Sequence, residues 1–175
     1  SATGTKNSTT FLRGDNTFAS AQGKFESQLL HVRDEKSAGT QGGSSSANTD
    51  NVRVINTVVT NEITGASLGS NRITLPSGTY YIDAQVQAYK VGSHRGFLYN
   101  HSDSSVEVLG ISFYADANNL VSNSSFVLGR FTISAEKNFE LRHYTNGAHT
   151  TYGLGVSVGD SRTNIYSNVQ IWKVA

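Results

Sequence analysis

At 175 residues and a formal net charge of +1, the chain is sized for one domain with a single core and has no electrostatic bias towards nucleic acid or an anionic membrane. It contains no cysteine, no methionine and one proline, with abundant Gly, Ser, Thr and Asn. Disulfides and thiolate metal sites are thereby excluded, and short strands joined by polar turns are favoured.

No apolar run is long enough to span a bilayer as a helix, and the start at Ser1 reads as the C-terminal piece of a longer product. Residues 1–24, SATGTKNSTTFLRGDNTFASAQGK, show no sustained period and read as an extended linker anchored by Phe11, Leu12 and Phe18. From residue 25 to 175 the texture changes to repeated period-two alternation, the mark of half-buried strands. Strands are expected at 28–35, 52–60, 71–75, 79–91, 96–100, 106–114, 124–134, 137–145 and 164–174. Turn-rich stretches such as SAGTQGGSSSANTD, LPSG, NHSDSS, ADANNLVSNS and TNGAHTTYGLG separate them. No segment has helical periodicity with caps, so the fold class is all-β.

The faces carry more. Along 79–90, Tyr80, Ile82, Ala84, Val86 and Ala88 form a core face, with Tyr81, Asp83, Gln85, Gln87 and Tyr89 opposite. Leu109, Ile111 and Phe113 are expected on one apolar face. Phe139 and Leu141 point one way, Glu140 and Arg142 the other. The strands at 124–134 and 164–174 bear large apolar groups on both faces. Phe126 and Leu128 oppose Val127, Phe131 and Ile133; Tyr166 and Trp172 oppose Ile165, Val169 and Ile171. A sandwich buries one face of each sheet, so the second apolar face calls for a partner, most economically another copy. The expected interface comprises Tyr81, Tyr89, Phe126, Leu128, Tyr166 and Trp172.

In order and spacing, LPSGTYYIDAQVQA, EKNFELRHY and YSNVQIWKVA resemble the turn-then-central strand, the penultimate strand and the last strand of the jelly roll shared by tumour necrosis factor and the heads of collagen-like complement proteins. The resemblance covers about residues 25–175 and implies a TNF-like jelly-roll β-sandwich that is homotrimeric. NSTTFLRGDNTFAS is similar to the TFLRGDGTW-type segment of tail fibres of bacterial viruses, with Asn16 for the usual Gly and Phe18 for the usual Trp. That likeness implies a short extended fibre linker before the head and places the chain at the distal end of a virion's tail fibre. It also sets the reading of Arg13-Gly14-Asp15. Gly14, Asp15 and Asn16 suit a tight turn, so the tripeptide reads as structure and not as an integrin ligand.

The chemistry-bearing residues do not assemble into a catalytic motif. His31, His94, His101, His143 and His149 lack zinc-site spacing, there is no Gly-x-Ser-x-Gly elbow, and no two of Asp83, Glu107, Asp116, Glu140 and Asp160 pair as glycosidase carboxylates. The expectation is a non-enzymatic protein without cofactor or metal. If the fibre enters at the base, alternating strands send 36–51, 91–96, 115–124 and 145–163 to the tip. The turns near 76–78, 100–105 and 134–138 then lie at the base. The tip is expected to contact a bacterial surface receptor, a glycan or an outer-membrane component, through His94, Arg95, Asp116, Asn118, Asn119, Asn146, His149, Tyr152, Asp160 and Arg162. The rival readings are a trimerising cap of a fibre or needle without its own receptor, and an animal adaptor presenting RGD.

Overall fold

A computed structural model describes residues 2–6, 10–12, 14–20 and 28–174. Ahead of the head, β1 (Thr10–Leu12) and β2 (Phe18–Ser20) pair antiparallel as a hairpin. Its turn runs through Gly14, Asp15 and Asn16. Asn16 is left-handed at φ 60°, and the Asp15 carboxylate accepts from the Thr17 amide at 3.1 Å and hydroxyl at 2.6 Å. Those bonds hold the Asp15 carboxyl below its usual range. Arg13 lies outside the described residues.

The head strands are β3 (Gln28–Lys36), β4 (Thr49–Val52), β5 (Thr57–Asn61), β6 (Ser67–Gly69), β7 (Arg72–Leu75), β8 (Gly78–Tyr89), β9 (Gly92–Asn100), β10 (Ser105–Leu109), β11 (Phe113–Ala115), β12 (Ser122–Ile133), β13 (Lys137–Thr145) and β14 (Asn164–Lys173). They form two antiparallel sheets. One has the order β12-β8-β14-β3-β5; the other runs β10-β9-β13-β7-β6, with β11 added to β9 and β4 to β13. The described residues contain no helix.

β8 realises its alternation fully: Tyr80, Ile82, Ala84, Val86 and Ala88 are all buried between the sheets. Tyr80 stacks on Phe131, which meets Phe139 at a tilt, with ring centroids 5.4 Å apart in each step, and the three anchor the apolar core at the base. The Tyr80 hydroxyl donates to the Pro76 carbonyl at 2.6 Å, which ties LPSG to the strand it introduces. Burial raises the Tyr80 phenol above its usual pKa.

Two expected strands each divide, for the same physical reason. Within 52–60 the chain crosses from one sheet to the other. The Arg53 amide donates to Leu141 of β13, and the Asn56 amide already donates to Arg33 of β3. Within 106–114 the Gly110 amide donates to Gly96 of β9 and the Ile111 amide to Phe126 of β12, so this segment straps the two sheets together along one side. Only glycine fits there, because a Cβ at 110 would collide with the carbonyl oxygens of Gly96 and Phe126. The register also slips between Val106 and Val108. Val108 is therefore the inward residue, and Leu109 and Ile111 are 56% and 51% exposed, contrary to the apolar core face expected for them.

A second slip, between Ile165 and Ser167 of β14, turns Tyr166 inward. Its ring is buried under Lys36 Nζ, 5.5 Å from the centroid, and its hydroxyl donates to the Thr40 carbonyl at 2.6 Å. Tyr166 thus lies in the interior of the chain and not on the outward sheet face expected for it. Trp172, Tyr81, Phe126 and Leu128 do stand on the outward face of the five-stranded sheet, the first two as a tilted pair 6.1 Å apart. Between these apolar groups that face carries Asp83, Gln85, Asn168 and Gln170, so it is mixed and not wholly hydrophobic.

Candidate functional site: the tip of the sandwich

Strand direction sorts the loops. Gln28 and Lys173 are paired at one end, where the head chain enters and leaves, and Asn164 and Lys36 are paired at the other. The far end collects the loops 37–48, 90–91, 116–121 and 146–163. They are cross-bonded through their backbones. Gly42 donates to Gly155 and Leu154 to Gly43, Ser45 and His149 exchange both bonds, Gly147 donates to Val91, and Lys90 to Val121. Four loops of different sequence origin therefore make one continuous surface.

Beneath it lies a fully buried cation. The Arg53 guanidinium donates to Ser167 Oγ at 2.9 Å and to the carbonyl oxygens of Gln87, Leu154 and Tyr166 at 3.2, 2.9 and 2.8 Å. Desolvation brings its pKa down to about 10, with Asp34 acting in the opposite direction. Asp34 is itself buried, one carboxylate oxygen without a hydrogen-bond partner, and desolvation raises its pKa. Sequence reading did not single out Arg53. Its dense environment comes from loops that only the fold brings together.

The expected contact residues fall into distinct groups. Asp116, Asn118 and Asn119 form a closed turn on the exposed 116–121 loop. The Asp116 carboxylate accepts from the Asn118 amide at 2.8 Å and the Asn119 side chain at 2.7 Å, and these bonds lower its pKa. Asp160 and Arg162 pair with each other on the outermost loop at 3.4 Å, both exposed. Asn146 donates to Asn48 Oδ1 at 3.0 Å, and the Tyr144 hydroxyl donates to the same oxygen at 3.2 Å. Asn48 belongs to the site through these bonds although the sequence did not single it out.

His149 and Tyr152 meet Tyr89 in a three-ring cluster, with centroid separations of 5.1, 5.7 and 6.1 Å. The Tyr152 and Thr151 amides donate to His149 Nδ1, so the proton of the neutral ring sits on Nε2. The cluster offers aromatic faces, phenol hydroxyls and an imidazole N–H at the rim of the tip. Tyr89, expected at the interface, stands where the outward sheet face and the tip meet.

Two expected residues lie elsewhere. Arg95 is in β9 opposite Tyr144, on the outer side of the head and below the loops. His94 is buried inside the sandwich. It contacts His143 and Asn123, and Phe113 stacks on it at 6.3 Å. β9 begins at Gly92 and not near residue 96 as expected, which takes His94 out of the loop and turns it inward.

No protein-family model matches the sequence, and no curated protein matches it. Solved structures do. Eiger TNF from S. frugiperda aligns with a TM-score of 0.55 and 13% identity over 85% of this chain and 93% of that one. Murine APRIL at pH 5.0 aligns at 0.54 and 12%, over 85% and 99%. The globular domain of zebrafish complement 1qA protein aligns at 0.52 and 12%, over 86% and 98%. At such low identity these likenesses speak to architecture alone. The chain is an all-β sandwich with the TNF-like jelly-roll fold.

Proposed function

We propose that this chain is the receptor-binding tip of a bacteriophage tail fibre, a non-enzymatic homotrimeric adhesin for a bacterial cell-surface glycan or outer-membrane component. The observation that carries the reading is the polarity of the molecule. The chain enters the head at the base, after a segment similar to phage fibre linkers, and four cross-bonded loops form the opposite end. The linker's RGD fits a structural role, since the Asp15 carboxylate is folded back on Thr17 in the turn.

At the tip, Tyr152, His149 and Tyr89 supply rings for a pyranose face. Asn118, Asn119, Asn146 and Asn48 supply amides for sugar hydroxyls, and Arg162 supplies a cation for acidic groups. Trimerisation is supported by two separate apolar surfaces. One is the Tyr81–Trp172 pair with Leu128 on the sheet face, and the other is Leu109 and Ile111 on the strapped side. Surfaces that differ are suited to face-to-side contacts, which close into a ring of three where successive copies are related by a threefold rotation. Three equal sites on one head then raise avidity while each contact stays weak.

Purified head should bind susceptible bacteria and block adsorption of the phage that carries it. Failure on every susceptible host, with a folded protein, would remove the adhesin role.

A further inference from the structure

The interior near the tip holds two histidines whose protonation is fixed by a chain of hydrogen bonds. The Asn123 side-chain amide donates to the Tyr114 carbonyl at 2.7 Å, which leaves Asn123 Oδ1 to face His94 Nε2 at 2.7 Å. His94 Nε2 must therefore carry the proton. In the neutral ring Nδ1 is then a lone pair, and it lies 2.9 Å from His143 Nε2, which must be the donor. The last atom of the relay, His143 Nδ1, is a bare lone pair in a fully buried ring and has no hydrogen-bond partner.

The relay joins separate parts of the fold. His94 and His143 sit on β9 and β13 of one sheet, Asn123 sits on β12 of the other, and Tyr114 belongs to β11, which leads into the 116–121 loop. We propose that the His94–His143 pair is an acid-sensitive latch that closes the tip end of the sandwich while both rings are neutral and opens on uptake of one proton.

The only basic lone pair left in the relay is His143 Nδ1, so a proton must go there. The new N–H would be buried with no acceptor, which is costly. It would also add a charge in an interior that already holds the Arg53 guanidinium. The charged group that acts on both rings is Arg53; Asp34, which interacts with Arg53, and Lys36 of β3 lie 3.9 Å apart. None of them accepts a hydrogen bond from His143. Burial accordingly pushes His143 well below the usual histidine pKa, with Arg53 and His94 adding to the effect, and burial lowers His94 as well. The sign follows. An open or unfolded imidazole binds a proton below about pH 6.5 and the closed pair does not, so closure is fully stable above that value and weakens as pH falls. Asp34 works in the opposite sense, since its raised pKa relieves a buried charge on acidification.

The latch is independent of what the tip binds. Its test is backbone amide protection in the intact chain between about pH 7.5 and about pH 5, corrected for intrinsic exchange. Protection of the 113–123 segment should fall by up to about tenfold per pH unit below about pH 6.5, while that of the base strands stays level. The non-titrating variants His143→Asn and His94→Gln should flatten this dependence. If neither variant folds, histidine ring signals of the native protein decide instead. His94 and His143 should stay neutral while the tip is closed, and titration at an ordinary midpoint with the tip still protected would overturn the latch. So would an unchanged pH profile in a folded His143→Asn protein.

Discussion

Arg53 donates from inside the sandwich to the Leu154 carbonyl at 2.9 Å, so a side chain of the crossover between sheets supports the tip loop from below. The same guanidinium holds Tyr166 and Gln87 of the neighbouring strands. Replacing it with Met would leave three carbonyls and the Ser167 hydroxyl without their donor, and would remove the positive charge that acts on the buried Asp34. A loss of about 3–5 kcal/mol is expected, read by urea unfolding, with the tip loops losing amide protection first.

Gly155 is left-handed at φ 132°, and a Cβ there would run into the Tyr166 ring. Gly155→Ala should therefore cost about 1–3 kcal/mol and disturb the bond between Gly42 and Gly155. Thermal unfolding checks the first part, and exchange of the Gly42 amide checks the second.

The two apolar surfaces separate assembly from folding. On the trimer proposed above, Trp172→Ala and Ile111→Asp should shift the protein to monomer in sedimentation. Tyr166→Phe should leave that proposed assembly unchanged and cost about 1 kcal/mol, the value of the hydroxyl's bond to Thr40. A Tyr166 variant that dissociated would contradict its inward placement.

Adhesion should reside in the ring cluster at the rim. On the proposed adhesin reading, Tyr152→Ala and His149→Ala should each weaken binding per site by about tenfold, with a larger effect on adsorption where three sites act together. Asp15→Ala should leave attachment to bacteria unchanged. Cell adsorption with unaltered melting temperature is the relevant readout.

Much of the architecture was legible because alternation reports burial directly. The core face of β8 and the limits of β13 could be read residue by residue. Where a strand slips register by one residue, the same reading fails. Tyr166 and Leu109 were placed on the wrong faces because the slips at 165–167 and 106–108 leave no mark in the pattern. His94 was misread for a related reason: SHRG has loop composition, yet pairing with Thr145 makes it strand. The tip loops were found from topology. Their cross-bonds, the place of Asn48 and the brace from Arg53 depend on contacts between residues far apart in the chain, which one sequence does not encode visibly.

The Gly110 strap has a bearing on solubility. β12 is the outermost strand of its sheet, and an uncovered border strand of that length invites another molecule to add to it. The Ile111 amide occupies the Phe126 carbonyl, and Ser125 Oγ donates to the Ile111 carbonyl at 2.6 Å, so part of that border is already spoken for within the molecule. Heads crowded together at high local density can then stand side by side without polymerising into a shared sheet.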